Sequence, residues 1–121
     1  MRVLGIDPGL SGAYVLLDDG VPVEWDVMPT MVEGSHNRVN AASLAAQWRE
    51  MMVDIAFMEQ VGAMPGQGVT SMFSFGHSVG VVRGVLGALE IPTRLVTPQA
   101  DRKSTRLNSS HMSESRMPSS A

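Results

Sequence analysis

The sequence predicts an α/β fold, a mixed sheet flanked by helices, in the order β-β-β-α-β-α-β. Three observations predict it. Residues 2–7, 12–17 and 21–28 are short extended-type runs divided by Pro8-Gly9 and by Asp18-Asp19-Gly20, which is the turn chemistry of an antiparallel meander. Apolar positions then switch twice to helical spacing. After each of those helical segments comes another short apolar run, and a strand reached through a helix usually lies parallel to an earlier strand.

Each element follows from its residues. The first strand, 2–7, alternates Val3, Gly5 and Asp7 with Leu4 and Ile6, so both of its faces read as buried and the strand as central. The Asp-Gly step between the second and third strands favours a tight hairpin. Pro29 to Asn40 is polar, with Gly34, Ser35, His36 and Asn37, and reads as a surface loop. Asn40 suits a helix N-cap, and Leu44, Trp48 and Met51 or Met52 define an amphipathic helix over 41–52. The run 55–60 is the fourth strand, a glycine-rich loop VGAMPGQGV follows, a second helix covers about 70–90 up to Pro92, and 94–97 is the fifth strand. That second helix carries two apolar stripes, with Gly76, Gly80 and Gly84 four apart. Two stripes imply cover on more than one side, and glycines that each cost about 1 kcal/mol relative to alanine imply close backbone approach. A buried helix of a monomer satisfies the same pattern.

The 121 residues leave room for one domain. Hydrophobic residues at 44% and charged residues at 17% give a globular balance. No run of about 18 apolar residues and no signal-type start is present, so no membrane partner and a cytoplasmic location are expected. With no cysteine, any metal must use oxygen or imidazole ligands. Residues 1–100 hold five arginines, no lysine and ten carboxylates, a balance that argues against strong nonspecific nucleic-acid binding.

Residues 101–121 change texture, with seven serines and little apolar periodicity, and cannot bury enough to fold alone. The tail is either a basic nucleic-acid-contacting extension or adaptor-type sequence translated at the broken end of a reading frame. We take it as a disordered, non-native tail and residues 1–100 as the domain.

Two carboxylates stand out. Asp7 and Glu59 each close a strand, the first and the fourth, whose other residues are apolar. If those strands are parallel neighbours, about 4.8 Å apart, both acids end at one rim of the sheet. A buried pair at that distance must share a proton or hold a cation, and clustered oxygen ligands suit Mg²⁺ or Mn²⁺. Equally open is a structural reading in which Asp7 caps its own turn and Glu59 pairs with an arginine. Gly66, Gln67 and Gly68 precede a helix N-terminus, where free N–H groups favour phosphate, or form a plain surface loop. Arg83 can reach DNA or pair with Glu90. His77, among glycines and serines, reads as a packed or hydrogen-bonded histidine.

Three blocks carry a resemblance: GIDPGLSGA at 5–13, MEQVGAMPGQGVTSMFSFGHSVGVVRGVLGALEIP at 58–92 and VTPQA at 96–100. They resemble the RuvC family of Holliday-junction resolvases, especially its phage and prophage branch. GIDPG alone also opens sugar-kinase and actin-like ATPases; the long second block is the specific part. The resemblance implies a ribonuclease H-like fold, a five-stranded mixed sheet in the order 3-2-1-4-5 with flanking helices. It implies a homodimer in a bacterial or phage-infected cell that nicks four-way or branched DNA in recombination and repair, using Mg²⁺, for which Mn²⁺ can substitute, and no small-molecule cofactor. Asp7 and Glu59 match the family's catalytic, metal-binding acids of the first and fourth strands.

Three departures follow from the same resemblance. The family completes its site with further acids, or an acid and a histidine, on a late helix, and after Glu90 this chain offers only Asp101, His111 and Glu114. The final helix region is therefore expected to be missing and the chain to be an inactive fragment. The family's later basic residues are absent too. After Glu59, Gly62, Ala63 and Met64 stand where some relatives place a junction-wedging aromatic, and Met64 is a weak substitute. Two rivals remain: a noncatalytic dimerising or junction-binding protein of the same fold, and an actin- or sugar-kinase-like ATP-binding fragment, for which a second phosphate loop and an adenosine site are wanting.

Overall fold

The computed structural model describes residues 1–60 and 68–97. Strands β1 (Arg2–Asp7), β2 (Ala13–Asp18) and β3 (Val21–Val27) form the antiparallel meander. Between β2 and β3, Asp19 and Gly20 have φ of 50° and 83°. Left-handed conformation at both central residues is the tight hairpin turn that Asp-Gly favours.

Residues 29–40 differ from the predicted loop. They hold a second hairpin, β4 (Thr30–Glu33) and β5 (His36–Val39), paired as a separate two-stranded sheet. Gly34 supplies a φ of +63° at the first central position of its turn, which Gly-Ser between two extended runs accommodates. Polar composition concealed the hairpin.

Helix α1 (Ala41–Glu50) starts at Asn40, whose side chain accepts a hydrogen bond from the Ser43 N–H at 3.1 Å, as an N-cap should. Strand β6 (Ile55–Glu59) pairs parallel with β1, helix α2 (Val69–Ala88) follows, and β7 (Thr93–Val96) pairs parallel with β6. At the end of α2 the Ile91 N–H donates to the Leu86 carbonyl and the Glu90 N–H to Gly87, with Glu90 at φ 58°. That left-handed cap closes the helix before Pro92 is reached.

The main sheet runs β3-β2-β1-β6-β7. With the separate hairpin set aside, that is the expected order 3-2-1-4-5, in an α/β fold with two helices among the described residues. Leu4, Ile6, Leu16, Ala56 and Met58 line one face of the sheet and are buried with Leu44 and Trp48 of α1, Met51 at its C-cap, and Val82, Val85 and Leu86 of α2. Tyr14 meets Trp48 edge to face at 5.5 Å between ring centroids. Burying each large side chain contributes roughly 1.5–3 kcal/mol. At the start of β1, the Arg2 Nη1 donates to Asp18 at 2.6 Å and its Nε to the Met51 carbonyl at 2.7 Å. These contacts tie the sheet's lower rim to α1.

The opposite face of the sheet is not buried as predicted. Val3, Asp7, Phe57 and Glu59 are half-buried there, and β3 inverts the usual alternation. Trp25 pairs with Val15 and Val27 with Ala13 on the open side, each 68% exposed, while Glu24 and Asp26 lie opposite Leu16 and Tyr14 on the helix side.

Candidate functional site at the carboxylate rim

The register of β1 against β6 runs Val3↔Ile55, Leu4↔Ala56, Gly5↔Phe57 and Ile6↔Met58. One further step brings Asp7 and Glu59 to the same rim, on the face shared with Gly5 and Phe57, with strands about 4.8 Å apart. The juxtaposition expected from sequence is present. Burial is less than expected, since both residues are half-buried and water screens part of their mutual repulsion. Among the described residues the Asp7 side chain accepts no hydrogen bond from its turn, so the turn-cap reading has no contact behind it.

The turn after Asp7 is built for close approach. Pro8 is fully buried, and the Gly12 N–H donates to the Gly9 carbonyl at 2.9 Å. A Cβ on Gly12 would stand 2.0 Å from the Asp7 carbonyl oxygen. Only glycine fits there. A Cβ on Gly9 would lie 3.8 Å from Cε1 of Phe75, so the N-terminal half of α2 reaches the carboxylate rim.

The remaining predicted residues fall less closely together. Gly68 is the N-cap of α2, in extended conformation, with no acidic residue in the first turn; its neighbours Met64, Gly66 and Gln67 lie outside the described residues, as do Asp101, His111 and Glu114. Arg83 is exposed and makes no ion pair with Glu90 among the described residues. Eight residues beyond Phe75, it stands about 12 Å further along the helix axis. His77 is half-buried, with Nδ1 shielded and unpaired among the described residues and its ring 6.3 Å from Phe73.

Two contacts escaped the sequence reading. Phe75 borders the Asp7 turn, and the Arg38 guanidinium lies 5.8 Å from the Phe73 ring centroid. The signal for the second was the Gly34-Ser35 turn, which brings β5 and hence Arg38 against α2.

For a metal, two carboxylates on neighbouring strand ends fit Mg²⁺ in part, because that ion often binds through one or two carboxylates and completes its shell with water and substrate phosphate. Among the described residues no third acid or histidine joins them. A different opening of about 460 Å³ lies between β3 and α1, lined by Tyr14, Glu24, Asp26, Gln47 and Glu50. Tyr14 donates to Gln47 there, and burial first, then the fields of Asp26 and Glu24, raises the tyrosine above its ordinary pKa. Its acidity makes it a poor phosphate site.

No protein-family description matches the sequence and no curated protein matches it. Solved structures do. RuvC of Thermus thermophilus in complex with a Holliday-junction substrate superposes with a TM-score of 0.64 at 14% identity, over 98% of this chain and 84% of that one. The yeast mitochondrial Holliday-junction resolvase Ydc2 gives 0.51 at 20% identity, over 94% of this chain and 57% of that one. These likenesses show the fold. A ROK hexokinase of Thermus thermophilus reaches 0.49 at 19% identity, over 93% of this chain and 38% of that one, and carries no argument. The chain thus shares the α/β fold of these resolvase structures, with its five-stranded mixed sheet, and none of its described helices is long and apolar enough to cross a membrane.

Proposed function

We propose that the chain is a metal-dependent endonuclease of four-way or branched DNA, built on a domain spanning residues 1–100 and working as a homodimer. The observation that carries this reading is the register of β1 and β6, which ends in Asp7 and Glu59 on one face and at one rim. The fold shared with resolvases supports it, and so do the sequence blocks that resemble the phage and prophage branch.

In this reading Asp7 and Glu59 hold Mg²⁺, or Mn²⁺ in its place, and the ion supplies charge stabilisation at the phosphate and an activated water. The chain's own residues set the geometry. Gly12 holds the Asp7 turn tight, and Phe75 docks α2 against it. The uncapped start of α2 at Gly68, with Gly66 and Gln67 before it, offers backbone N–H groups to a phosphate. Met64 is assigned to the branch point by the family resemblance alone, and Arg83 to a more distant phosphate. Two carboxylates leave most of an octahedral shell to other ligands, so the 121-residue chain by itself should nick weakly or not at all.

The test uses a synthetic four-way junction and Mn²⁺ titration followed by electron paramagnetic resonance. We expect the wild-type chain to bind Mn²⁺, Asp7→Asn and Glu59→Gln each to weaken that binding at least tenfold, and any nicking to fall at least a hundredfold with either change. Mn²⁺ binding untouched by both changes would sink the metal assignment.

A second reading is favoured by the acid-rich body and by the lack of a third ligand among the described residues: a noncatalytic protein that binds junctions or dimerises. It predicts junction binding that survives the double change Asp7→Asn, Glu59→Gln in the absence of any metal.

A further inference from the structure

Strand β3 packs unlike the rest of the sheet, since each of its seven residues is exposed, on both faces. Among the described residues it is also the edge of the main sheet, the position at which a further strand can add. Its register against β2 is regular from Glu24 to Val27. Two rows of side chains run along that stretch. Trp25 and Val27 stand on the open face, and Glu24 and Asp26 stand on the helix side, opposite Leu16 and Tyr14.

Beside the acidic row lies the opening between β3 and α1, to which Glu50 adds a third carboxylate. Its volume of about 460 Å³ falls within the range of about 300–1,000 Å³ usual for ligand sites. The chemistry of its wall is one-sided. Tyr14 is 4% exposed and its hydroxyl donates to Gln47, whose own amide donates to Ser43 at 3.0 Å, so these donors are turned toward each other. The fields of Asp26 and Glu24 reach the Tyr14 hydroxyl, which places both acids on the same opening. None of the three carboxylates forms an ion pair among the described residues. Asp26 accepts the Val27 N–H at 2.8 Å, and Glu24 and Glu50 accept no hydrogen bond there. A wall of acceptors with uncompensated negative charge calls for a cation carrying several donors. Guanidinium is such a group, planar, with five N–H donors and no acceptor, and more weakly hydrated than an ammonium.

We propose that the outer edge of β3 receives an extended, arginine-bearing segment of a partner protein, which pairs along residues 24–27 and projects its arginines over the opening toward Glu24, Asp26 and Glu50. The alternation of a strand dictates the partner's pattern. Its residues opposite Glu24 and Asp26 lie on the helix side and are basic, and those between them lie beside Trp25 and Val27 and are apolar. Arginine has the reach to span the opening from the sheet edge to α1. A second copy of β3 is a poor occupant, because it sets carboxylate against carboxylate. Nucleic acid is a poor one for the same reason, since phosphates seek Lys and Arg. The inference is independent of any chemistry at Asp7 and Glu59, so the nuclease reading can fail without it.

The test titrates the isotope-labelled full chain at low salt with the peptide acetyl-Val-Arg-Val-Arg-Val-amide, followed by nuclear magnetic resonance. Saturable shifts are expected along β3 and at Gln47 and Glu50, with hydrogen exchange of alternate β3 amides slowed at least tenfold by strand pairing. The double change Glu24→Gln, Asp26→Asn should raise the dissociation constant at least tenfold. Both side chains are exposed, so the urea midpoint of that variant should stay where it is. Equal binding of acetyl-Val-Glu-Val-Glu-Val-amide, or undiminished binding of the arginine peptide to the double variant, would overturn the charge recognition and the proposal with it. Spermidine that reproduced the shifts and the slowed exchange would reduce the site to a trap for counterions and overturn the strand partner. Absence of any saturable shift with the arginine peptide would overturn the proposal outright.

Discussion

The two faces of the main sheet are made from the same strands and do opposite things. On one, Leu4, Ile6, Leu16, Ala56 and Met58 are sealed under α1 and α2 around Trp48, which is 1% exposed. On the other, Trp25 is 68% exposed, Phe57 is half-buried, and Asp7 and Glu59 stand at the rim. A carboxylate placed on the sealed face would cost several kcal/mol in desolvation. On the open face it keeps part of its hydration, since Asp7 and Glu59 are only half-buried. Stability and candidate chemistry are thus separated by the pleat, residue by residue along β1.

Four substitutions test that separation. Trp48→Ala should remove about 3–5 kcal/mol, the cost of a large buried side chain plus its cavity, read as a drop in the urea midpoint. Gly12→Ala should cost about 1–3 kcal/mol, because the new methyl drives into the Asp7 carbonyl. It should also weaken Mn²⁺ binding by displacing Asp7, whereas an unchanged urea midpoint would mean that the turn yields easily. Tyr14→Phe should lose about 1 kcal/mol with the hydrogen bond to Gln47, in full below pH 10. The folded tyrosine has a raised pKa, so its contribution is complete below the ordinary value of 10.0 and fades as pH rises through the folded one. A urea midpoint followed from pH 8 to 11 should show that alkaline fall in the wild type and a weaker one in the variant. Trp25→Ser should change stability by under about 0.5 kcal/mol. If it costs as much as Trp48→Ala, the two faces are equivalent and the comparison fails.

Much of this was readable in the chain. Asp-Gly located the first hairpin, helical spacing located α1 and α2, and the two acids closing apolar runs fell together because parallel pairing is forced by an intervening helix. What escaped reading depended on long-range packing. The apolar residues Val3, Ile55 and Phe57 look buried in sequence, yet they are only half-buried, and periodicity cannot say which of two apolar faces receives the helices. Thr30 to Val39 was misread because its polar side chains outweighed a Gly-Ser turn in the reading. Met64, Gly66 and Gln67 lie outside the described residues.

Strand β3 has one more consequence, for keeping the protein in solution. Among the described residues it is an edge strand, and its exposed Val21, Val23, Trp25 and Val27 make it a template on which further chains can stack. Pro22, Glu24 and Asp26 alternate with them along the chain, and the register of β3 against β2 shifts between Leu16 and Leu17. Proline removes a donor from the ladder and the carboxylates repel an incoming strand of like charge. These three residues act as gatekeepers, and a variant that replaced them with threonines would turn the rim of a folded domain into the seed of a fibril.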